Sequence, residues 1–366
     1  MRTYTILVAG YAYYRSADFA GLAKNRVNYL IDRNPGWATD TDVEFLLFDV
    51  KTGTILKNAV TGGTRSWQVE STAFEAIDHN AHYSERTFIA AANRVISITD
   101  AYDHIINIGR SEPGTVREFS ILGHGYWNGP ILVNSCERPD YRSDGSRAYE
   151  RDPLDKDGRR KDGNLLNMPD DEWEKFYRAF RKDACCWVWG CNFYVPVLRV
   201  MQKTITAGGR RLSSMQDGSE IQLQFTQDWA NEYYGDVPLF FPAVGAAGRV
   251  NRADLTFTRT FGQIKQLCKI VTLHSYAGLM AYNTRLPFRA ALPGTYSDYE
   301  RGPANSRHRV MLVPRSSTIY SDNFTSIIRF YQDHLGLETD PEGRGYGVFT
   351  PEKMSDWWKA LNEGLV

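Results

Sequence analysis

The chain has 366 residues, 42% of them hydrophobic and 23% charged, with a mean hydropathy of −0.43. Lys plus Arg and Asp plus Glu stand at 43 each, so the formal net charge is zero. That balance argues against the one-signed surface that a nucleic-acid backbone or an anionic membrane recruits, and no apolar run reaches the roughly 18 residues that span a bilayer. The length suits one large domain or two ordinary ones. Five cysteines, Cys136, Cys185, Cys186, Cys191 and Cys268, form an odd set that does not suggest a disulfide scaffold. The first eleven residues read as a strand rather than a signal peptide. The expected location is the cytoplasm, or outside the cell by export without a cleaved N-terminal signal.

Strand and helix signals alternate through the first half. Residues 4–12 read as a buried strand. Ser16 is placed to cap a helix with Phe19, Leu22, Ala23, Val27 and Leu30 on one face, and Pro35 lies beyond its end. Val43 to Val50 is a second buried strand. Residues 52–84, with Gly53, Gly62 and Gly63, read as an extended loop or hairpin. A long helix is expected from Glu85 to about Ile106, ended by Gly109. Glu118 to Leu122 is the third strand, and Gly129 to Val133 a short extended return past its end.

Residues 137–163 are dense in Asp, Arg, Lys and Gly and poor in aliphatic side chains, so they read as an exposed insertion. Pro169 is placed to open a helix with Trp173, Phe176, Tyr177 and Phe180 on one face. Cys185 to Gly190 is the fourth strand, and a helix follows near Val195 with Pro196 in its first turn. Ile221, Leu223 and Phe225 alternate as in a half-buried strand. Leu255, Phe257 and Phe261 follow a similar two-residue rhythm. Helices are expected over 263–273 and 275–284, then a last core strand over 287–292 ended by Pro293-Gly294. Past residue 300 come a strand at 310–313 and helices near 322–335 and 351–362, the last with Thr350-Pro351 as cap and first turn. Alternation of this kind predicts a mostly parallel sheet covered on both faces.

Two of these strands end on chemistry. The third runs Phe119-Ser120-Ile121-Leu122-Gly123-His124-Gly125 and the fourth Trp187-Val188-Trp189-Gly190-Cys191-Asn192. In an open α/β sheet such strand ends build the site. A cysteine attacks as its thiolate, which helix N-termini and nearby cations favour. A histidine titrates near neutrality and can act as base or ion-pair partner. Gly125, lacking a side chain, lets a backbone N–H approach a developing oxyanion.

These two motifs, with the Gly129-Pro130-Ile131-Leu132 return after the first and His preceding Cys in the chain, resemble the caspase-like (clan CD) cysteine peptidases. That group includes caspases, gingipains, clostripain, separase and the CHAT-domain proteases. The resemblance spans about residues 1–295, but only the two short motifs are specific. It implies an α/β three-layer caspase-like sandwich with a mostly parallel central sheet flanked by helices. The catalytic domain would occupy 1–300, with a charged loop insertion at about 137–168. A C-terminal strand and two helices over 301–366 would pack on it. It implies His124 as general base, Cys191 as nucleophile, and the N–H groups of Gly125 and Cys191 as the oxyanion hole. His124 and Cys191 are 67 residues apart, wider than is usual in the group, and the 137–163 insertion accounts for most of the excess. Asn192-Phe193 stands where small or polar residues often follow the nucleophile. Asp298 and Glu300, after the last core strand, are the residues that could receive a basic substrate side chain.

The expected activity is that of a cysteine endopeptidase acting on a protein substrate through an acyl-enzyme, without cofactor or metal, as a bacterial effector, toxin or defence protease. The alternatives are a catalytically inactive binding or scaffold module of the same fold and a thiol-dependent acyl transferase. A regulatory partner, or self-processing within the charged insertion near Arg147, Arg151 or Arg159-Arg160-Lys161, is the second reading of that segment. Other features take plain readings. Cys185, Cys186, Trp187 and Trp189 are core. Asp78-His79-Asn80-Ala81-His82 is a surface segment without a standard metal spacing. Gly343-Arg344-Gly345-Tyr346-Gly347 is a turn rather than a nucleotide loop. No Gly-x-Ser-x-Gly elbow occurs, which disfavours serine chemistry on an α/β-hydrolase scaffold.

Overall fold

A computed structural model describes residues 2–12, 17–77, 83–84, 87–88, 95–126, 129–134, 140–141, 147–148, 170–192, 194–226, 254–300, 306–313 and 324–363. Five strands form the parallel centre of a nine-stranded sheet: β1 (Thr3–Ala9), β2 (Val43–Asp49), β5 (Val116–Leu122), β8 (Phe180–Trp189) and β11 (Phe288–Ala290). Their order across the sheet is β2-β1-β5-β8-β11, every neighbouring pair parallel. The antiparallel hairpin of β3 (Thr54–Thr61) and β4 (Thr64–Ser71) extends the sheet beyond β2. Beyond β11 it is extended by β13 (Gly347–Phe349) and then β12 (Glu338–Thr339), both antiparallel to their neighbours. The segment after residue 300 therefore completes one edge of the same sheet. Two short strands, β6 (His124–Tyr126) and β7 (Gly129–Ile131), form a hairpin just past β5, and β9 (Glu220–Thr226) pairs with β10 (Asp254–Thr260) apart from the main sheet.

Central strands covered on both faces should be continuously apolar. β1 is buried at all seven positions, and β2 and β5 at six of seven. Ring contacts assign helices to the faces. α1 (Phe19–Arg33) covers one face: its Arg26 guanidinium lies 5.2 Å from the rings of both Trp187 and Trp189. The other face carries α2 (Ile98–Ser111), whose Tyr102 meets Phe119 of β5 edge-on. Tyr102 also meets Phe176 of α3 (Asp170–Ala179), and its hydroxyl bonds that of Tyr276 in α6 (Tyr276–Thr284). Helices on both sides of a sheet with a parallel centre make the three-layer α/β sandwich that the strand and helix alternation predicts. The other helices are α4 (Val195–Gly208), α5 (Phe261–His274), α7 (Phe324–Leu335) and α8 (Pro351–Asn362). No helix among the described residues is long and apolar enough to cross a membrane.

Four local expectations change. α1 is capped by Asp18, whose carboxylate accepts the Gly21 N–H at 2.8 Å, while Ser16 lies outside the described residues. The long helix from Glu85 does not form: Thr87–Phe88 pairs with Tyr83–Ser84, and α2 begins only at Ile98. A cap explains the boundary, since Asp100 accepts the Ser97 N–H at 2.6 Å. Gly109 does not end α2 but sits inside it, where a Cβ would strike the Lys175 carbonyl of α3. The glycine permits the close crossing of the two helices. On α3 the apolar face is Phe176 rather than Tyr177, which is 45% exposed, and Phe180 begins β8 instead of extending the helix. The turn-rich stretch after residue 52 is the β3–β4 hairpin. Most of the charged insertion lies outside the described residues, as do the helix-opening Pro169, Cys136 and the segment from Asp78 to His82.

Candidate active site

β5 and β8 are adjacent and parallel, with Ile121 opposite Val188 and Leu122 opposite Trp189. The pairing persists past the strands, because the Gly123 N–H donates to the Trp189 carbonyl at 3.2 Å. One residue further, His124 and Cys191 leave the same carboxyl edge from neighbouring strands. The approach is close enough to require glycine on both sides. A Cβ on Gly190 would lie 2.8 Å from the Gly123 oxygen and 3.4 Å from the Gly125 nitrogen. A Cβ on Gly125 would lie 3.1 Å from the Cys191 nitrogen and would strike the Cys191 carbonyl. Cβ atoms essentially never come as close as the Gly123 and Cys191 carbonyl oxygens would be, so the glycines allow the two backbones to touch.

The face that α1 covers carries the strand residues leading to both side chains. Side chains alternate along a strand and registered neighbours of a parallel pair share a face, which puts Glu118 and Ser120 on one face with Trp187 and Trp189. Arg26 of α1 ties these rows together. It clamps Glu118 with two bonds of 2.8 Å while lying over both tryptophans, and the Trp189 indole N–H donates to Ser120 Oγ at 3.2 Å. Beyond the strands, the His124 ring packs edge-on against Phe19, the first residue of α1, at 5.3 Å. Cys191 Sγ accepts the Ser297 N–H at 3.3 Å, and the Ser297 carbonyl lies 3.7 Å from the sulfur.

The loop after β11 holds Cys191 in place. Asn192 is buried; its amide donates to the Ala291 carbonyl at 3.0 Å and its backbone N–H to the Thr295 carbonyl at 3.0 Å. The Gly294 N–H returns a bond to the Asn192 carbonyl at 2.9 Å. The Asn192 that departs from the caspase-like pattern is thus the clasp for residues 291–295. Ser297 Oγ donates to the Gly190 carbonyl and accepts from the Tyr346 hydroxyl at 3.0 Å. Tyr346 meets Trp187 and Trp189 edge-on at 5.8 and 5.4 Å. Those tryptophans stack 4.2 Å apart and are fully buried, core residues as their sequence setting suggests. Sequence reasoning missed Ser297, Tyr346 and Asn192. Tyr346 lies in the glycine-rich segment read as a turn, which bends at Gly343-Arg344 and runs into β13 at Gly347; no local pattern announces that its hydroxyl reaches Ser297.

The remaining expected site residues lie beside this cluster. Asp298 is exposed and directly follows Ser297. Glu300 forms an ion pair with Arg344 at 3.1 Å. Burial pushes the other described thiols up, Cys185 to about 11, Cys268 to about 12 and Cys186 well above the usual thiol range. Among the described residues no group of His, Cys, Asp and Glu is arranged to hold a metal ion.

Fold and site thus define a doubly covered α/β protein with an imidazole and a thiol on one carboxyl edge of adjacent parallel strands. No protein-family model matches the chain, and no curated protein does. Among solved structures it is similar to a secreted C11 cysteine protease from Bacteroides thetaiotaomicron in complex with an irreversible peptide inhibitor. Identity there is 14%, over 61% of this chain and 48% of that one, with a TM-score of 0.25. A second structure, of a secreted C11 cysteine protease from that organism named iotapain, shows 12% identity over 93% of this chain and 72% of that one, with a TM-score of 0.22. The chain thus spans about half the length of the first of these.

Proposed function

We propose that this protein is a cysteine peptidase in which Cys191 is the nucleophile and His124 the proton carrier. The observation that carries the reading is the shared edge. Two adjacent parallel strands lead, two residues past their ends, to a thiol and an imidazole at one carboxyl edge, with paired glycines letting their backbones meet. In the proposed reaction, the Cys191 thiolate adds to a peptide carbonyl, and the carbonyl π electrons move onto oxygen. The N–H groups of Gly125 and Cys191 are the oxyanion donors. Protonated His124 gives its proton to the departing amine as the C–N bond breaks, leaving a thioester. Water, deprotonated by His124, then adds to the thioester and releases the acid and the thiol. Asp298, exposed beside Ser297, is the carboxylate suited to a basic substrate side chain; Glu300 is engaged with Arg344.

The test is incubation of wild type, Cys191→Ala and His124→Ala with a cell lysate, followed by sequencing of newly formed protein N-termini. The reading requires termini in the wild-type sample that both variants lack. Identical termini in all three samples would end it.

A further inference from the structure

Ser297 touches the sulfur of Cys191 through two groups that favour opposite protonation states. An N–H can only donate, so its contact at 3.3 Å strengthens when the sulfur is anionic. The carbonyl, 3.7 Å away, can only accept from the neutral thiol. The nearer contact is the one that favours thiolate. Its position is set by the Ser297 hydroxyl, buried between the Gly190 carbonyl and the Tyr346 hydroxyl. Burial holds the Tyr346 phenol protonated to well above the usual phenol range, so it remains a neutral donor. Tyr346 is anchored in turn by Asp340, whose carboxylate accepts the backbone N–H groups of Glu342, Arg344 and Tyr346 at 3.0, 3.1 and 2.9 Å.

We propose that Ser297 and Tyr346 are positioning residues that hold the Ser297 N–H against Cys191 and so enlarge its thiolate fraction near neutral pH. The proposal deepens the peptidase reading and rests on Cys191 being its nucleophile, but its readout needs no substrate. Tyr346, before β13, is coupled electrostatically to Cys191, and the titratable residues of the adjoining segments are His124, which opens β6, and Asp298 beside Ser297. A protonated His124 also favours thiolate, so the measurements are repeated on the His124→Ala background, where the Ser297 and Tyr346 effects persist.

The experiment is the pH dependence of iodoacetamide alkylation of Cys191, followed by mass analysis of its peptide, in wild type, Ser297→Ala, Ser297→Thr and Tyr346→Phe. Ser297→Ala and Tyr346→Phe are expected to move the midpoint up by about half to one pH unit, slowing labelling at pH 7 by about three- to tenfold. Ser297→Thr, which keeps the hydroxyl, is expected to retain the wild-type midpoint. Coincident midpoints in wild type, Ser297→Ala and Tyr346→Phe would overturn the proposal. So would a wild-type midpoint at or above the ordinary thiol value of about 8.5, whether or not the variants fold. A protein that shows the shifts but creates no new termini ends the peptidase reading and leaves this proposal standing. One that creates termini with coincident midpoints ends this proposal alone.

Discussion

Gly125 and Cys191 approach so closely that any side chain on the glycine would meet the Cys191 backbone, at 3.1 Å from its nitrogen and nearer still to its oxygen. Because the atom struck is backbone, no rotamer change relieves the contact. Gly125→Ala is therefore expected to push apart the two strand ends and displace the proposed oxyanion donors. Loss of one such donor costs on the order of 100- to 1000-fold in rate. Overpacking of this kind costs about 1–3 kcal/mol in stability. Quantifying lysate termini over time, beside a urea unfolding curve, separates the two effects. A Gly125→Ala protein that generates termini at the wild-type rate would remove Gly125 from the site.

Beneath the site, Arg26 and Glu118 form an ion pair with side chains only 2% and 4% exposed, and Arg26 reaches on to Glu342 at 2.7 Å. Glu118→Ala takes the two-bond clamp from the buried Arg26 guanidinium and leaves it Glu342 alone; complete loss of a buried counterion costs about 3–5 kcal/mol, which bounds the effect from above. Glu118→Ala is expected to lower the urea midpoint accordingly. The double variant Arg26→Met/Glu118→Leu, which removes both charges at similar volume, is expected to recover much of the loss. Equal destabilisation by the single and double variants would show that packing around Trp187 and Trp189, not charge, sets the cost.

Much of the fold was legible because its cues are local. The apolar runs of β1, β2, β5 and β8 lie where the sequence places strands, and Thr350-Pro351 caps α8 as its residues suggest, with Thr350 Oγ1 accepting the Lys353 N–H at 3.2 Å. The His-Gly and Gly-Cys strand ends were visible for the same reason. What was hidden is long-range. Strands β12 and β13 are two and three residues long, too short for periodicity to register, and gain their identity only by pairing beside β11. Ser297 and Tyr346 are 106 and 155 positions after Cys191, so only the folded loop after β11 joins them to it. The helix expected from Glu85 failed because the apolar spacing continues upstream of the Ser97 and Asp100 cap that starts α2.

Acidification should weaken the fold in two stages. Burial pushes the His104 imidazole below its usual 6.5, with a smaller opposing effect of Glu70. The unfolded chain takes up that proton first, so the contribution of neutral His104 is complete above about pH 6.5 and declines below it. Glu342 answers at lower pH. Burial raises it, but Arg26 and Arg344 outweigh burial and hold it below its usual 4.5. Its contribution is present above 4.5 and is lost as pH falls through the folded value. Urea midpoints measured from pH 7.5 to 4 should decline below 6.5 and steepen below 4.5. His104→Gln should reduce the slope of the upper stage, which His334, also lowered by burial, shares, and leave the lower stage as it is; an unchanged upper slope would assign that stage to other groups.

Thiol labelling should single out Cys191 among the described cysteines. A thiol pushed to about 11, as burial does to Cys185, is ionised to only about one part in ten thousand at pH 7. Cys268 at about 12, and Cys186 above its usual range, are disfavoured further and are also buried from the reagent. Cys191 is partly exposed and accepts an N–H bond at its sulfur. One equivalent of iodoacetamide at pH 7 is therefore expected to modify the Cys191 peptide well before those of Cys185, Cys186 and Cys268, and His124→Ala is expected to slow that modification. Labelling of Cys185 at the rate of Cys191 would mean that the edge of the sheet gives Cys191 no special reactivity, and the nucleophile assignment would lose its chemical basis.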